Sequence, residues 1–351
     1  MATEARRAKA AAGLVENQVK IDIFNHVFPK SFFDRYIVSG AAGKEIGKRM
    51  ANATIGFDLD QRFRVLDEFP DVRQVITLGQ PPIEVLGGPD QSPAIAREAN
   101  DGLAELVSKH PDRFVAFAAS LPMNNVEASL EEMTRAIDRL GAKGVMIYTN
   151  VAGMPLDAPQ FRPLFDEAAR RDLPIWLHPA RGAAMADYSA EESSSFEIWW
   201  ALGWPYETSA AMARLVFSGI FDRHPHLKII THHLGGIVPY LEGRVGYGWD
   251  QLGARTSKVD YSELRRSMKK RPVDYFRQFH ADTAMFGARA ATQCGLEFFG
   301  ASQLLFASDM PFDPVPGLYM RETIKVIESL DLSAEDRQRI YYDNAVRLLR
   351  L

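Results

Sequence analysis

The chain has 351 residues, of which 46% are hydrophobic and 25% charged, and its formal net charge is −4. This length suits one large α/β barrel, and the acidic balance lacks the basic stripe of a nucleic-acid binder. A single cysteine, Cys294, excludes an internal disulfide framework and a cysteine-rich zinc module, and no stretch approaches the roughly 20 apolar residues of a membrane span.

The first 18 residues carry Arg6, Arg7 and Lys9 beside Glu4 and Glu16, a mixture that fits neither a signal peptide nor a transit peptide. They are expected to form an N-terminal arm (1–18) ahead of a single domain (19–351), in a reducing, cytoplasmic setting. A first strand is expected at 19–25 (VKIDIFN), followed by a long connection over about 27–57. A second strand (73–78) and a helix (92–110) lead to a third strand at 113–121. A helix at 125–141 precedes the fourth strand (143–149), and a helix at 157–172 precedes the fifth (174–179). A second long connection runs over about 180–205. The sixth strand is placed at 227–233, a weaker seventh at 278–283 and the eighth at 303–309, before a terminal helix at 333–349.

Several helix starts are written in the sequence. Asn125 precedes Glu127, and Ser333 precedes the acidic turn Glu335–Asp336, both favourable at a helix N-terminus. Strands separated by helices imply parallel β-α-β units with right-handed crossovers. Eight of them point to an α/β fold, a closed (β/α)8 TIM barrel with insertions after strands 1 and 5. No G-x-G-x-x-G follows the first strand, which argues against a dinucleotide-binding sheet. The two long connections are expected to serve as lids, binding loops or subunit contacts.

Polar residues stand where the apolar strands end. His26 follows the first strand, His178 closes the fifth, His232 and His233 close the sixth, and Asp309 closes the eighth. A parallel barrel gathers these ends at one face. So many ionisable groups buried together call for a metal or hydrogen bonds to compensate them, and imidazole with carboxylate suits zinc, manganese or iron. The other histidines read differently. His226 precedes the sixth strand, roughly 20 Å from His233 along an extended chain, and His224 goes with it. His110 reads as surface. His280 precedes Asp282 by two residues, so both could face the same side of the seventh strand, and His280 remains open as a candidate.

The motifs IDIFNHVFP, WLHPA, THHLGG with IVPYLEGRV, and ASDMPF resemble the amidohydrolase-2 family, the group around aminocarboxymuconate semialdehyde decarboxylase and γ-resorcylate decarboxylase. Together they run from about residue 20 to 315. The resemblance implies a metal held by His26, His178 and Asp309; because one ligand of the family's set is missing here, His232 or His233 is the alternative further ligand, and a site without metal is the remaining alternative. It implies catalytic roles for His233 and Asp309, and a substrate-pocket role for Trp200. The family's first-strand motif is usually H-x-H, or E-x-H in some decarboxylases. Here it reads Phe24-Asn25-His26, and Phe24 cannot bind a metal. Lys143 begins the fourth strand, away from the strand ends, and is read as structural. An active-site arginine of some relatives is left unassigned in the 27–57 connection.

The leading expectation is a metal-dependent, non-oxidative decarboxylase of a small aromatic or unsaturated carboxylic acid, using one divalent ion, zinc first and manganese or iron as alternatives. Trp200, with Trp199, Trp204 and Phe196, is expected to wall the ring side of the pocket. The same residues would serve a metal-dependent hydrolase or hydratase, or an oxygen-activating iron or manganese enzyme. With Phe24 replacing a ligand, a non-catalytic partner subunit of an active homologue is the reading from a different class. The expected partner is a small carboxylated substrate, with neither nucleic acid nor membrane. The chain is expected to form a homo-oligomer, or a hetero-oligomer with a homologous chain.

Overall fold

The structure, a computed structural model, describes residues 19–38 and 44–351. The expected arm (1–18) and residues 39–43 of the first long connection lie outside the described residues. The strands are β1 (Lys20–Val27), β2 (Val72–Leu78), β3 (Phe114–Phe117), β4 (Ala119–Ser120), β5 (Val145–Tyr148), β6 (Asn150–Val151), β7 (Met154–Pro155), β8 (Pro174–His178), β9 (Lys228–Thr231), β10 (His280–Asp282) and β11 (Leu304–Leu305). Apart from the small antiparallel β6–β7 hairpin, every pairing is parallel.

One sheet has the order β1-β2-β3 and the other β11-β10-β9-β8-β5-β4. β3 and β4 are one extended run interrupted at Ala118. Ala118 N donates to Ile76 O on one side, and Ala119 N donates to Gly144 O on the other. At the far edges Ile23 N donates to Phe306 O (2.9 Å), Asp309 N to Phe24 O (3.0 Å) and His26 N to Met310 O (2.7 Å). The protein is thus an α/β fold of parallel strands, with each expected strand at its expected place.

Burial explains why these strands are apolar on both sides. Ile23, Val75, Ile76, Ile229, Leu304 and Leu305 are fully enclosed, as parallel strands covered by helices require. Gly144 is needed where β5 begins: a Cβ there would stand 2.3 Å from Pro174 O. Asn125 accepts from Ala128 N and Ser333 from Asp336 N, so both expected helix caps form. The terminal helix is less regular than its periodicity suggests, since a π-helical turn at Arg339–Asp343 divides it. No helix among the described residues is long and apolar enough to cross a membrane.

Two strands lose regular geometry where they approach the site. The β1–β2 register shifts between Asp22 and Asn25, a bulge of the kind that re-aims side chains. The sixth and eighth strands stop earlier than expected, at Thr231 and Leu305. Their continuations carry His233 (φ 50°), Leu234 (φ 54°) and Asp309 (φ 58°) in the left-handed region, a conformation held only by strong surroundings.

Candidate metal centre and active site

Three histidines and an aspartate meet where β1, β8, β9 and the segment after β11 end. His26, His178, His232 and Asp309 are all buried. One nitrogen each from His26, His178 and His232 lies within 4.8 Å of the others, and the same limit joins His232, His233 and Asp309. Asp309 Oδ1 stands 3.2 Å from His26 Nε2 and 3.3 Å from His232 Nε2.

Backbone carbonyls fix the rings. His26 Nδ1 lies 3.2 Å from Leu78 O and 2.9 Å from Thr77 Oγ1. His178 Nδ1 lies 2.7 Å from Pro179 O, and His233 Nδ1 2.9 Å from Ala284 O. A proton on each Nδ1 donates to these carbonyls and leaves Nε2 as the free lone pair. His26 Nε2 is buried without an aligned hydrogen bond despite its closeness to Asp309. A buried, unpartnered nitrogen beside a carboxylate and two further imidazoles is the donor set that a divalent ion fits.

The electrostatics agree with the geometry. Burial holds His26 below its ordinary pKa, and burial with the neighbouring His232 and His26 holds His178 well below. Burial, reinforced by His232, depresses His233 to about 4. Burial alone would raise Asp309, but contacts from His232 and His26 outweigh it and keep the carboxylate well below its usual range. His232 shows the opposite balance. Burial lowers it, yet the Asp282 charge and hydrogen bond, with Asp309, lift it to about 9.

Beneath the site a buried polar network ties Ser308, the neighbour of Asp309, to β1 and β2. Arg62 donates to Gln74 Oε1, His26 O and Asn25 Oδ1 at 2.6–3.0 Å. Gln74 Nε2 donates to Asp22 Oδ2, which also accepts from Ser308 Oγ (2.6 Å), while Asp22 Oδ1 accepts from Ser308 N (2.9 Å). Burial pushes Asp22 up to about 6 against these bonds and pulls Arg62 down to about 10. The network fixes the backbone on each side of His26 and Asp309.

A cavity of about 500 Å³ lies next to the site, lined by Lys48, Arg49, Trp199, Trp200, Phe312 and Asp313 among others, and Phe312 meets the His26 ring at 5.5 Å. Arg49 rests against three rings, 4.8 Å from Trp200, 5.6 Å from Trp204 and 4.8 Å from Phe312. Its Nε is buried without a partner. Trp204 meets His178 edge-on at 5.5 Å, and its Nε1 donates to Arg181 O.

Most of the expected site residues are therefore brought together, and several expectations need correction. Phe196 is 95% exposed and walls no pocket; the turn at Phe196–Glu197, with positive φ at both residues, directs it outward. His280 lies at the start of β10, beside Lys228 and Arg347, far from the strand ends that hold the site. Its neighbour Asp282 does reach the site, bonding His232 Nδ1. His110 is half-buried and packs edge-on to Phe63 at 4.8 Å. His226 is exposed, His224 pairs with Asp166, and Lys143 donates to Arg350 O, all away from the site. Sequence reasoning missed Arg49, whose only signal was its place, with Lys44 and Lys48, in an amphipathic helix of the first long connection.

The chain is similar to known proteins over most of its length. A family profile described as Amidohydrolase matches residues 21–351. The chain belongs to the amidohydrolase-2 family. Gamma-resorcylate decarboxylase of Rhizobium sp. (strain MTP-10005) is 32% identical over 328 residues, covering 90% of this chain and 92% of that one. The crystal structure of a 2,6-dihydroxybenzoate decarboxylase complexed with 2,6-dihydroxybenzoate aligns with a TM-score of 0.77 at 26% identity, over 95% of this chain and 99% of that one. A dihydroxybenzoic acid decarboxylase from Polaromonas sp. JS666, with bound manganese and the inhibitor 2-nitroresorcinol, aligns with a TM-score of 0.74 at 25% identity, over 95% and 97%. This amidohydrolase is an enzyme, a decarboxylase.

Proposed function

We propose that this enzyme removes CO2 without oxidation from a small hydroxylated aromatic acid, with a divalent ion held by His26, His178 and Asp309. The observation that carries the reading is that one nitrogen each of His26 and His178 lies within 4.8 Å of the other and Asp309 Oδ1 stands 3.2 Å from His26 Nε2, next to a cavity bearing Arg49 and aromatic walls. A cavity of about 500 Å³ suits one aromatic ring with its substituents. Manganese in a similar decarboxylase favours manganese here, with zinc and iron as the alternatives that the same donor set admits.

The bound ion would act as a Lewis acid toward the acid's carboxylate and adjacent oxygen. The chain's own groups do the rest. Arg49, a cation among three rings, faces the carboxylate end, while Trp200 and Phe312 flank the ring. When the carbon–carbon bond breaks, its electron pair goes to the ring carbon, which must take up a proton. His233 is neutral at pH 7, so it first accepts a proton, from a phenolic hydroxyl of the substrate, and then delivers it to that carbon. Asp309, ionised and beside both His26 and His232, is the second carrier positioned for this transfer.

We further propose that residues 19–351 form one domain, a closed eight-stranded barrel with insertions after strands 1 and 5. The backbone bonds from β1 to Phe306 and Met310 support closure. Exposed Phe196, Leu202, Tyr240 and Tyr247 support assembly with further copies or a homologous chain. The assembled donor set argues for a working centre rather than a non-catalytic subunit.

Carboxyl-labelled 2,6-dihydroxybenzoate tests the reaction. The metal-loaded enzyme is expected to release labelled CO2 and, in heavy water, to place deuterium on the vacated ring carbon. Consumption of substrate with addition of water and no labelled CO2 would contradict decarboxylation and favour hydration.

A further inference from the structure

We propose that His232 is the fourth protein ligand of the ion, on the side where Phe24 replaces the usual histidine, with Phe24 and Asp282 as its positioning residues. This inference rests on the metal reading above and adds to it a ligand set of His26, His178, His232 and Asp309.

Distances come first. On a tetrahedral ion with bonds of about 2.0–2.2 Å, neighbouring ligand atoms stand about 3.4 Å apart. Asp309 Oδ1 lies 3.2 Å from His26 Nε2 and 3.3 Å from His232 Nε2, so it is spaced equally and correctly from both. His232 also belongs to both donor groups, the one with His26 and His178 and the one with His233 and Asp309.

Orientation is the second argument. His232 Nδ1 is bonded to Asp282 Oδ2, and both residues are fully buried. The other carboxylate oxygen of Asp282 accepts from Ala284 N at 3.0 Å, so the carboxylate cannot turn away. A histidine whose far nitrogen is held by a buried carboxylate is arranged as metal-ligating histidines are. His26 and His178 achieve the same with carbonyls, so all three rings present Nε2.

Packing is the third. The Phe24 ring stacks on His232 with centroids 3.9 Å apart and planes 17° apart. His233 stacks on His232 at 3.7 Å and 25°. A ring stacked on two others has one orientation, and it is the one that aims Nε2 at Asp309. Phe24 thus does more than withdraw a ligand from β1, because its apolar face holds the replacement from β9.

The test uses the purified full chain stripped of metal and titrated with Mn²⁺ against a chromophoric chelator, with the visible spectrum of the Co²⁺ form as a second readout. His232→Gln is expected to weaken Mn²⁺ binding by about 100-fold or more and to change the Co²⁺ bands, and Asp282→Asn to weaken it by about 10–100-fold. In the double variant Phe24→His with His232→Gln, affinity is expected to return towards that of the parent. A His232→Gln chain with parental affinity and spectrum, beside a His178→Ala chain that loses the ion, overturns the fourth-ligand inference and leaves the metal reading intact. A parent chain that binds no Mn²⁺ or Co²⁺ overturns both. If His232→Gln does not fold, Asp282→Asn and Phe24→Leu decide, and parental affinity in both counts against the inference.

Discussion

Each imidazole at the site has its Nδ1 engaged by a carbonyl or a carboxylate before any ligand arrives, and that leaves little for the reaction to reorganise. His233 illustrates this. Its backbone sits at φ 50°, its Nδ1 faces Ala284 O, and burial with His232 keeps the ring neutral. His233→Asn is therefore expected to lower kcat by about 10²–10⁴-fold while the metal content of the protein is unchanged; steady-state kinetics with elemental analysis checks both. Retained turnover would remove His233 from the proton transfer. Arg62 acts at one remove. Its guanidinium makes four buried hydrogen bonds, to Gln74, Asn25 and the carbonyl of His26. Arg62→Met leaves Asp22 without its buried counter-charge, and a loss of about 3–5 kcal/mol in urea unfolding is expected.

At the scale of elements, the turn after β9 carries the tightest constraint. Gly236 has φ 64°, and a Cβ there would lie 2.2 Å from Pro205 O, a backbone atom that cannot move alone. Gly236→Ala is expected to destabilise the chain by at least about 2 kcal/mol and to reduce turnover further, because the same turn carries His232 and His233. A thermal melt with kinetics checks this, and a fully active, equally stable variant would show that the turn is free to shift. The strands and helices around this turn were legible because their periodicity and caps are local signals. Asn125 and Ser333 begin their helices as read. The gathering of His26, His178, His233 and Asp309 was legible because parallel strands deliver their ends to one face. What was not legible depends on contacts between distant segments. Arg49 reaches the cavity only because residues 44–52 fold over the Trp199–Trp204 region, and Asp282 rather than His280 reaches His232 because β10 ends at that level. Phe196 was misplaced because an aromatic beside two tryptophans looks like a wall until the backbone turns it outward.

Across the whole molecule, the groups that define function sit at one end of the strands, and the other end holds a separate titratable residue. His280 lies at the start of β10 with its Nδ1 unpartnered. Burial, with Arg347 and Lys228 nearby, lowers it to about 4, below the unfolded value of about 6.5. The native state therefore favours the neutral ring. Its contribution to stability is complete above about pH 6.5 and is lost as pH falls from there towards 4, by at most about 3 kcal/mol. His280→Gln is expected to flatten that part of the stability profile, read by denaturant unfolding at a series of pH values. Superimposable profiles for parent and variant would place the acid sensitivity elsewhere.

The account turns on an ion at the strand ends, and elemental analysis of the chain purified without added metal tests that most directly. One divalent ion per chain, lost in His178→Ala while the fold survives, is the predicted result. A parent chain that holds no ion even after reconstitution would contradict the account.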